Sequence, residues 1–102
     1  MNFLQLNLNE KKALIFIILE WQAFKHGNRP RPIETIEVSN HLQIPHKNSM
    51  KIINRLRKYN FVTLRSRMSA GLNGNGYDGS LYGVLDPSQS AIDSVNKYLG
   101  DK

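Results

Sequence analysis

Seven cations, Lys47, Lys51, Arg55, Arg57, Lys58, Arg65 and Arg67, fall within residues 38–77, a stretch that holds no aspartate or glutamate. Their charge of +7 exceeds the +6 of the whole 102-residue chain, so everything outside the stretch sums to −1. A basic balance kept for solubility alone gives no reason for such confinement. Ammonium and guanidinium groups gathered on one surface attract polyanions, and each contact they make to a duplex phosphate releases condensed counterions whatever the base sequence. Arg57, Lys58, Arg65 and Arg67 suit that backbone role. His46, Lys47, Asn48, Met50 and Lys51, with Asn54 one turn further on, occupy the part of the stretch that suits base reading. An Asn can pair with adenine through two hydrogen bonds, and a Lys can donate to guanine.

The remaining composition narrows the function classes. There is no cysteine, which excludes disulfides and thiolate metal sites. His26, His41 and His46 have no ligand spacing, so no metal is expected. Gly74-Asn75-Gly76-Tyr77-Asp78-Gly79 matches G-x-G-x-x-G literally. A dinucleotide site needs that motif between a strand and a helix, whereas the strand-like Leu81-Tyr82-Gly83-Val84-Leu85 follows here. No nucleophile is paired with a base, and Glu34/Glu37 is the one close pair of acids. Neither an enzyme nor a cofactor or small-molecule site is expected. The longest apolar run, residues 13–19, is far short of the roughly 20 residues a membrane span requires. No positively charged leader precedes it. The expectation is a soluble protein of the cytoplasm, associated with the nucleoid.

Elements must hold those cations together, and the pattern names them. Asn7 and Asn9 are both candidates to cap a first helix over 9–26, with Glu10 three residues after Asn7 as in a capping box. Gly27-Asn28 ends it. This helix is apolar on nearly all sides, with Leu14, Ile17, Ile18 and Trp21 on one stripe and Ile15 and Leu19 on another. It therefore needs cover from two directions. Asn28-Arg29-Pro30-Arg31-Pro32 cannot be helical, and Ile33 can add a very short strand. Arg29 and Arg31 suit flanking phosphates. Thr35 can cap a short helix over 35–42 with Ile36, Val38 and Leu42 inward, and Pro45 can open the next. Ser49, Ile52, Ile53, Leu56 and Tyr59 recur at helical spacing and mark the inner face of a helix over 46–59. Asn60 suits a left-handed exit. Residues 61–67 alternate as a strand, 68–79 form a glycine-rich loop, and 80–85 return as a second strand, giving a hairpin over 61–85. A last helix over 88–99 carries Ala91, Ile92, Val95 and Leu99 on its apolar side. The fold class is mainly α with a small β-hairpin, in one domain spanning 1–102.

The segment Gln43-Ile44-Pro45-His46-Lys47-Asn48-Ser49-Met50-Lys51, followed by Ile52-Ile53-Asn54-Arg55-Leu56-Arg57-Lys58-Tyr59-Asn60-Phe61-Val62, resembles the recognition-helix segment of winged helix-turn-helix regulators. Two aliphatic residues, an Arg-Leu pair and a helix-ending residue ahead of a strand carry the likeness, with Asn60 where those families place glycine. The layout, one long helix before the motif and one after the wing, is similar to the MarR type. The wing here lacks that group's Asp-x-Arg element, since Asp78 is followed by Gly79-Ser80, and the exit strand reads Leu85-Asp86-Pro87-Ser88-Gln89. A small plasmid, phage or archaeal-virus regulator of the same architecture fits equally. The resemblance implies double-stranded DNA as partner, with residues 46–59 in the major groove and the wing loop 70–79 near the minor groove. It also gives Arg55 two candidate partners, a phosphate or a buried acid.

The two-sided apolar first helix points to self-association. A two-fold homodimer through Ile15, Phe16 and Leu19 with Ile92, Val95 and Leu99 would cover an apolar patch and set two recognition helices ~34 Å apart. A sequence-specific transcriptional regulator is the reading that results. A replication or partition initiator could use the same fold, and so could a protein-interaction module. RNA binding is disfavoured, because single-strand readers stack bases on exposed aromatics and the wing offers only Tyr77 and Tyr82.

Overall fold

The structure, a computed structural model, describes residues 2–66 and 83–100. A short 3₁₀ turn, Phe3–Gln5, leads into α1, Leu8–Lys25. Then follow α2, Thr35–Leu42, α3, His46–Lys58, β1, Val62–Ser66, β2, Gly83–Pro87, and α4, Gln89–Gly100. Among the described residues the class is α+β: four α-helices and a small antiparallel sheet.

Asn7, not Asn9, caps α1. Its side chain accepts from the Glu10 N–H at 2.9 Å, while Glu10 Oε1 accepts from the Asn7 N–H at 3.0 Å. For α2 the expected cap shifts by one residue. Glu34 is the N-cap and pairs with Glu37 as a capping box, and Thr35 is instead the first helical residue, fully buried. α3 starts at His46 as expected, with Pro45 at its N-cap position. Ser88 caps α4, its hydroxyl accepting from the Ala91 N–H at 3.1 Å.

The first three helices end in one manner. Gly27, Gln43 and Asn60 adopt positive φ of 80°, 58° and 64°. In each case the next N–H reaches back five residues: Asn28 to Ala23, Ile44 to Ser39, Phe61 to Leu56, at 2.8–3.2 Å. This left-handed exit satisfies carbonyls that the helix itself leaves open.

β1 and β2 pair antiparallel with Leu64 opposite Leu85 and Val62 opposite Pro87. β2 therefore runs two residues beyond the expected 85. Pro87 sits at the end of the ladder, where a missing donor costs least. On its other side β2 meets the chain ahead of α2: Glu34 bridges Val84, and the Leu85 N–H donates to the Ile33 carbonyl at 2.9 Å. The short extended piece expected at Ile33 is thus an isolated bridge. Of the expected wing residues, Arg67, the loop 70–79 with its G-x-G-x-x-G, Tyr77 and Tyr82 lie outside the described residues.

One core joins these elements. Ala13, Leu14, Ile17 and Ile18 of α1 meet Val38, Ile53, Leu56 and Leu85, with Ala91, Ile92 and Val95 closing it from α4. Phe3 is buried too, its ring 4.9 Å from that of Tyr98. Three expectations are corrected here. Ile36 is exposed, not inward. Ile92 and Val95, expected at a dimer interface, belong to this chain's own core. Much of the cover for α1 therefore comes from within the chain, from α2, α3 and β2 and, to a lesser extent, from α4. Of the remaining expected interface residues, Ile15 and Phe16 are half-buried against the core, Phe16 stacking on His41 at 4.1 Å, while Leu19 and Leu99 are exposed.

Candidate nucleic-acid interface

α3 stands on a three-residue turn, 43–45, and buries Ser49, Ile53 and Leu56. Ile52 and Tyr59 flank that face, half-buried. The opposite face carries the chemistry. Lys47, Lys51, Asn54 and Lys58 lie within roughly 60° of one another around a helix of 3.6 residues per turn, and all four are exposed. Asn48 and Arg55 flank this stripe on one side and Arg57 on the other, exposed as well. Arg65 stands exposed on β1.

Two expected base readers are placed otherwise. Met50 is half-buried against the core at the edge of the stripe. His46 begins the helix with both ring nitrogens buried and without a hydrogen-bond partner among the described residues, so its ring offers no polar atom to the outside.

Several cations have fixed partners. Asn54 Oδ1 accepts from Arg57 Nη1 at 3.0 Å, which leaves the Asn54 amide NH₂ without a hydrogen-bond partner among the described residues. Arg65 Nε donates to Asp86 Oδ2 at 2.7 Å, across the sheet. Arg55 Nε donates to Glu10 Oε2, an ion pair between α3 and the first turn of α1. Glu10 is only 1% exposed, whereas the Arg55 side chain is 51% exposed, its Cζ 5.5 Å from the Tyr59 ring centre. Lys47, Lys51 and Lys58 have no ion-pair partner among the described residues, although Lys58 Nζ lies 6.0 Å from the centre of the Tyr59 ring.

Arg29 is a correction. Expected beside flanking phosphates, it is drawn into the fold. Its guanidinium bonds Glu20 Oε1 of α1 at 2.9 Å, the Glu37 carboxylate of α2, and the carbonyls of Arg31 and Pro32 at 2.6 and 3.3 Å. The hydrogen bond to Glu37 raises the Arg29 pKa further, against the opposing effect of burial. Burial pushes the Glu37 carboxyl up, but the hydrogen bonds from Arg29 and the Glu34 N–H, with the charges of Arg29 and Arg31, outweigh it and hold it below the usual carboxylate range. Arg31 remains exposed on the same linker.

No family model, curated protein or solved structure matches the chain. The site therefore stands on its own geometry. Among the described residues no three His, Cys, Asp or Glu side chains gather as a metal site, and no helix is long and apolar enough to cross a membrane.

The sequence did not single out Glu10 as a partner of the cationic helix, nor Asp86 as a partner of Arg65. Glu10 was legible as a helix cap, but its second oxygen serves a residue 45 positions away. Only the buried-acid alternative for Arg55 pointed in that direction.

Proposed function

We propose that this chain is a winged helix-turn-helix protein that binds double-stranded DNA, with α3 in the major groove, and that it regulates transcription as a homodimer at the nucleoid of the cytoplasm. The single observation that carries the reading is the exposed face of α3. Lys47, Lys51 and Arg55 follow one another at i, i+4, and no acid occurs anywhere on the helix. Like charges at that spacing weaken an isolated helix by a few tenths of a kcal/mol per pair. A helix serving only the core would gain by placing a glutamate among them. The repeated cost makes sense where a polyanion approaches.

The element order supports the wing. An extended stub at Ile33 and Glu34 precedes two helices joined by a tight turn, and the strand pair that follows is also the one the stub meets. In this arrangement Lys47, Asn48, Lys51 and Asn54 take base edges. Arg57, Lys58 and Arg65 take phosphates.

Selection from a pool of randomised duplexes tests the assignment. The wild type enriches a common sequence. Lys47→Ala and Lys51→Ala relax the preference at particular positions, whereas Arg65→Ala weakens all duplexes alike. Enrichment that these changes leave untouched would place base reading elsewhere.

A further inference from the structure

Arg55 differs from every other cation on α3. Among the described residues it is the one tied to a buried carboxylate, and that carboxylate is itself held by a second hydrogen bond. Glu10 has one oxygen on the Asn7 N–H at 3.0 Å, closing the cap of α1, and the other on Arg55 Nε. The Tyr59 ring lies along the guanidinium, with Cζ 5.5 Å from its centre. These two contacts restrict the freedom of the group. They use its Nε edge and leave Nη1 and Nη2 without a hydrogen-bond partner among the described residues, on a side chain that is half exposed.

We infer that Glu10 is a positioning residue. It holds Arg55 as a pre-oriented fork whose two terminal amino groups take one phosphate of the DNA backbone. The inference rests on the duplex-binding reading above and assigns it a residue, Glu10, that lies outside the cationic stretch. A guanidinium is planar and presents parallel N–H donors that match two phosphate oxygens, which an ammonium cannot do. A free arginine must lose side-chain freedom to make that contact. One already held by a buried carboxylate loses less, so the same contact binds more tightly. Because the buried partner caps α1, the phosphate contact also fixes where α1 stands relative to the duplex.

The test uses the full chain and a fluorescent 20-base-pair duplex of mixed sequence, with affinity read by anisotropy well below the melting temperature of each variant. Arg55→Lys keeps the charge and loses the fork, and binding weakens about tenfold, equivalent to about 1.4 kcal/mol. Glu10→Gln keeps an oxygen for the α1 cap and frees the guanidinium, and binding weakens severalfold although a charge of −1 has been removed. The double variant is no weaker than Arg55→Lys alone, since Glu10 acts through the fork. Side-chain ¹⁵N spectra supply a second readout: duplex shifts the Arg55 Nη signals and leaves Nε on Glu10.

Tighter binding by Glu10→Gln would overturn the inference, because it would show simple charge repulsion. Independent, additive losses in the double variant would overturn it also, as would Nη signals that ignore the duplex. If the wild type binds no duplex at any salt concentration, the duplex-binding reading falls and this inference with it.

Discussion

Individual side chains divide the basic residues of this protein into those that hold the fold and those that face outward. Arg29 and Arg55 each reach an acid of another element, Glu37 and Glu10, whereas Lys47, Lys51 and Lys58 reach none among the described residues. The Arg29 cluster makes a pH prediction. Glu37 is held below the usual carboxylate range, so its stabilisation is fully present above the unfolded-state pKa of a glutamate. It is lost as pH falls through the lowered folded-state value. Arg29 stays charged throughout. Urea midpoints measured from neutral pH into the acid range are expected to fall more steeply for the wild type than for Arg29→Met. Parallel curves would mean that the pair contributes nothing. Here the sequence was a poor guide. Arg29 in a proline-rich linker reads as a free cation, because nothing local reveals that Glu20 and Glu37, on two different helices, converge on it.

At the level of elements, α3 carries like charges where opposite ones would serve the helix better. Lys51→Glu makes favourable i, i+4 pairs with Lys47 and Arg55 and is expected to raise stability by about 0.5 kcal/mol. The same change puts a negative charge in the centre of the proposed interface, and duplex affinity should drop more than tenfold. Melting curves and anisotropy on one preparation give both numbers. If the two move in the same direction, the face has no binding role. Elements whose signals are local were legible in the sequence. The Asn7/Glu10 box, the Ser49-Ile53-Leu56 spacing, and the exits at Gly27 and Asn60 all follow from residues within one or two turns. Gln43 was not, because glutamine has no particular taste for positive φ, and its left-handed state is imposed by the α2–α3 packing around it. Nor was the reach of β2 to Pro87, which depends on pairing with Val62 rather than on its own residues.

For the whole molecule, the apolar residues left outside decide how it assembles. Leu8, Ile15 and Leu19 share one stripe of α1, within roughly 40° at 3.6 residues per turn, and Gln22 further along α1 meets Asn96 of α4 at 3.5 Å. Leu8 and Leu19 are exposed on that stripe, and Leu99 is exposed one turn beyond Asn96. The homodimer proposal therefore narrows to these leucines once Ile92 and Val95 are known to be core. Sedimentation at micromolar concentration is expected to show a dimer, with Leu19→Glu shifting it to monomer at an unchanged melting temperature. A wild type that sediments as monomer throughout would remove the dimer while leaving the proposal for the cationic surface of α3 intact. The two-sided hydrophobicity of α1 was plain in the sequence. Which side the chain would cover by itself was not, because that depends on where Phe3 and α4 pack.

The central claim is that the exposed cations of α3 and β1 meet a duplex backbone. The salt dependence of duplex affinity tests it most directly. With Arg55, Arg57, Lys58 and Arg65 engaged on phosphates, a plot of log affinity against log salt should be linear with a slope of about −3.6, and Lys58→Ala should make it shallower by about one. Affinity that does not change with salt, or a slope that Lys58→Ala leaves as it was, would contradict the account.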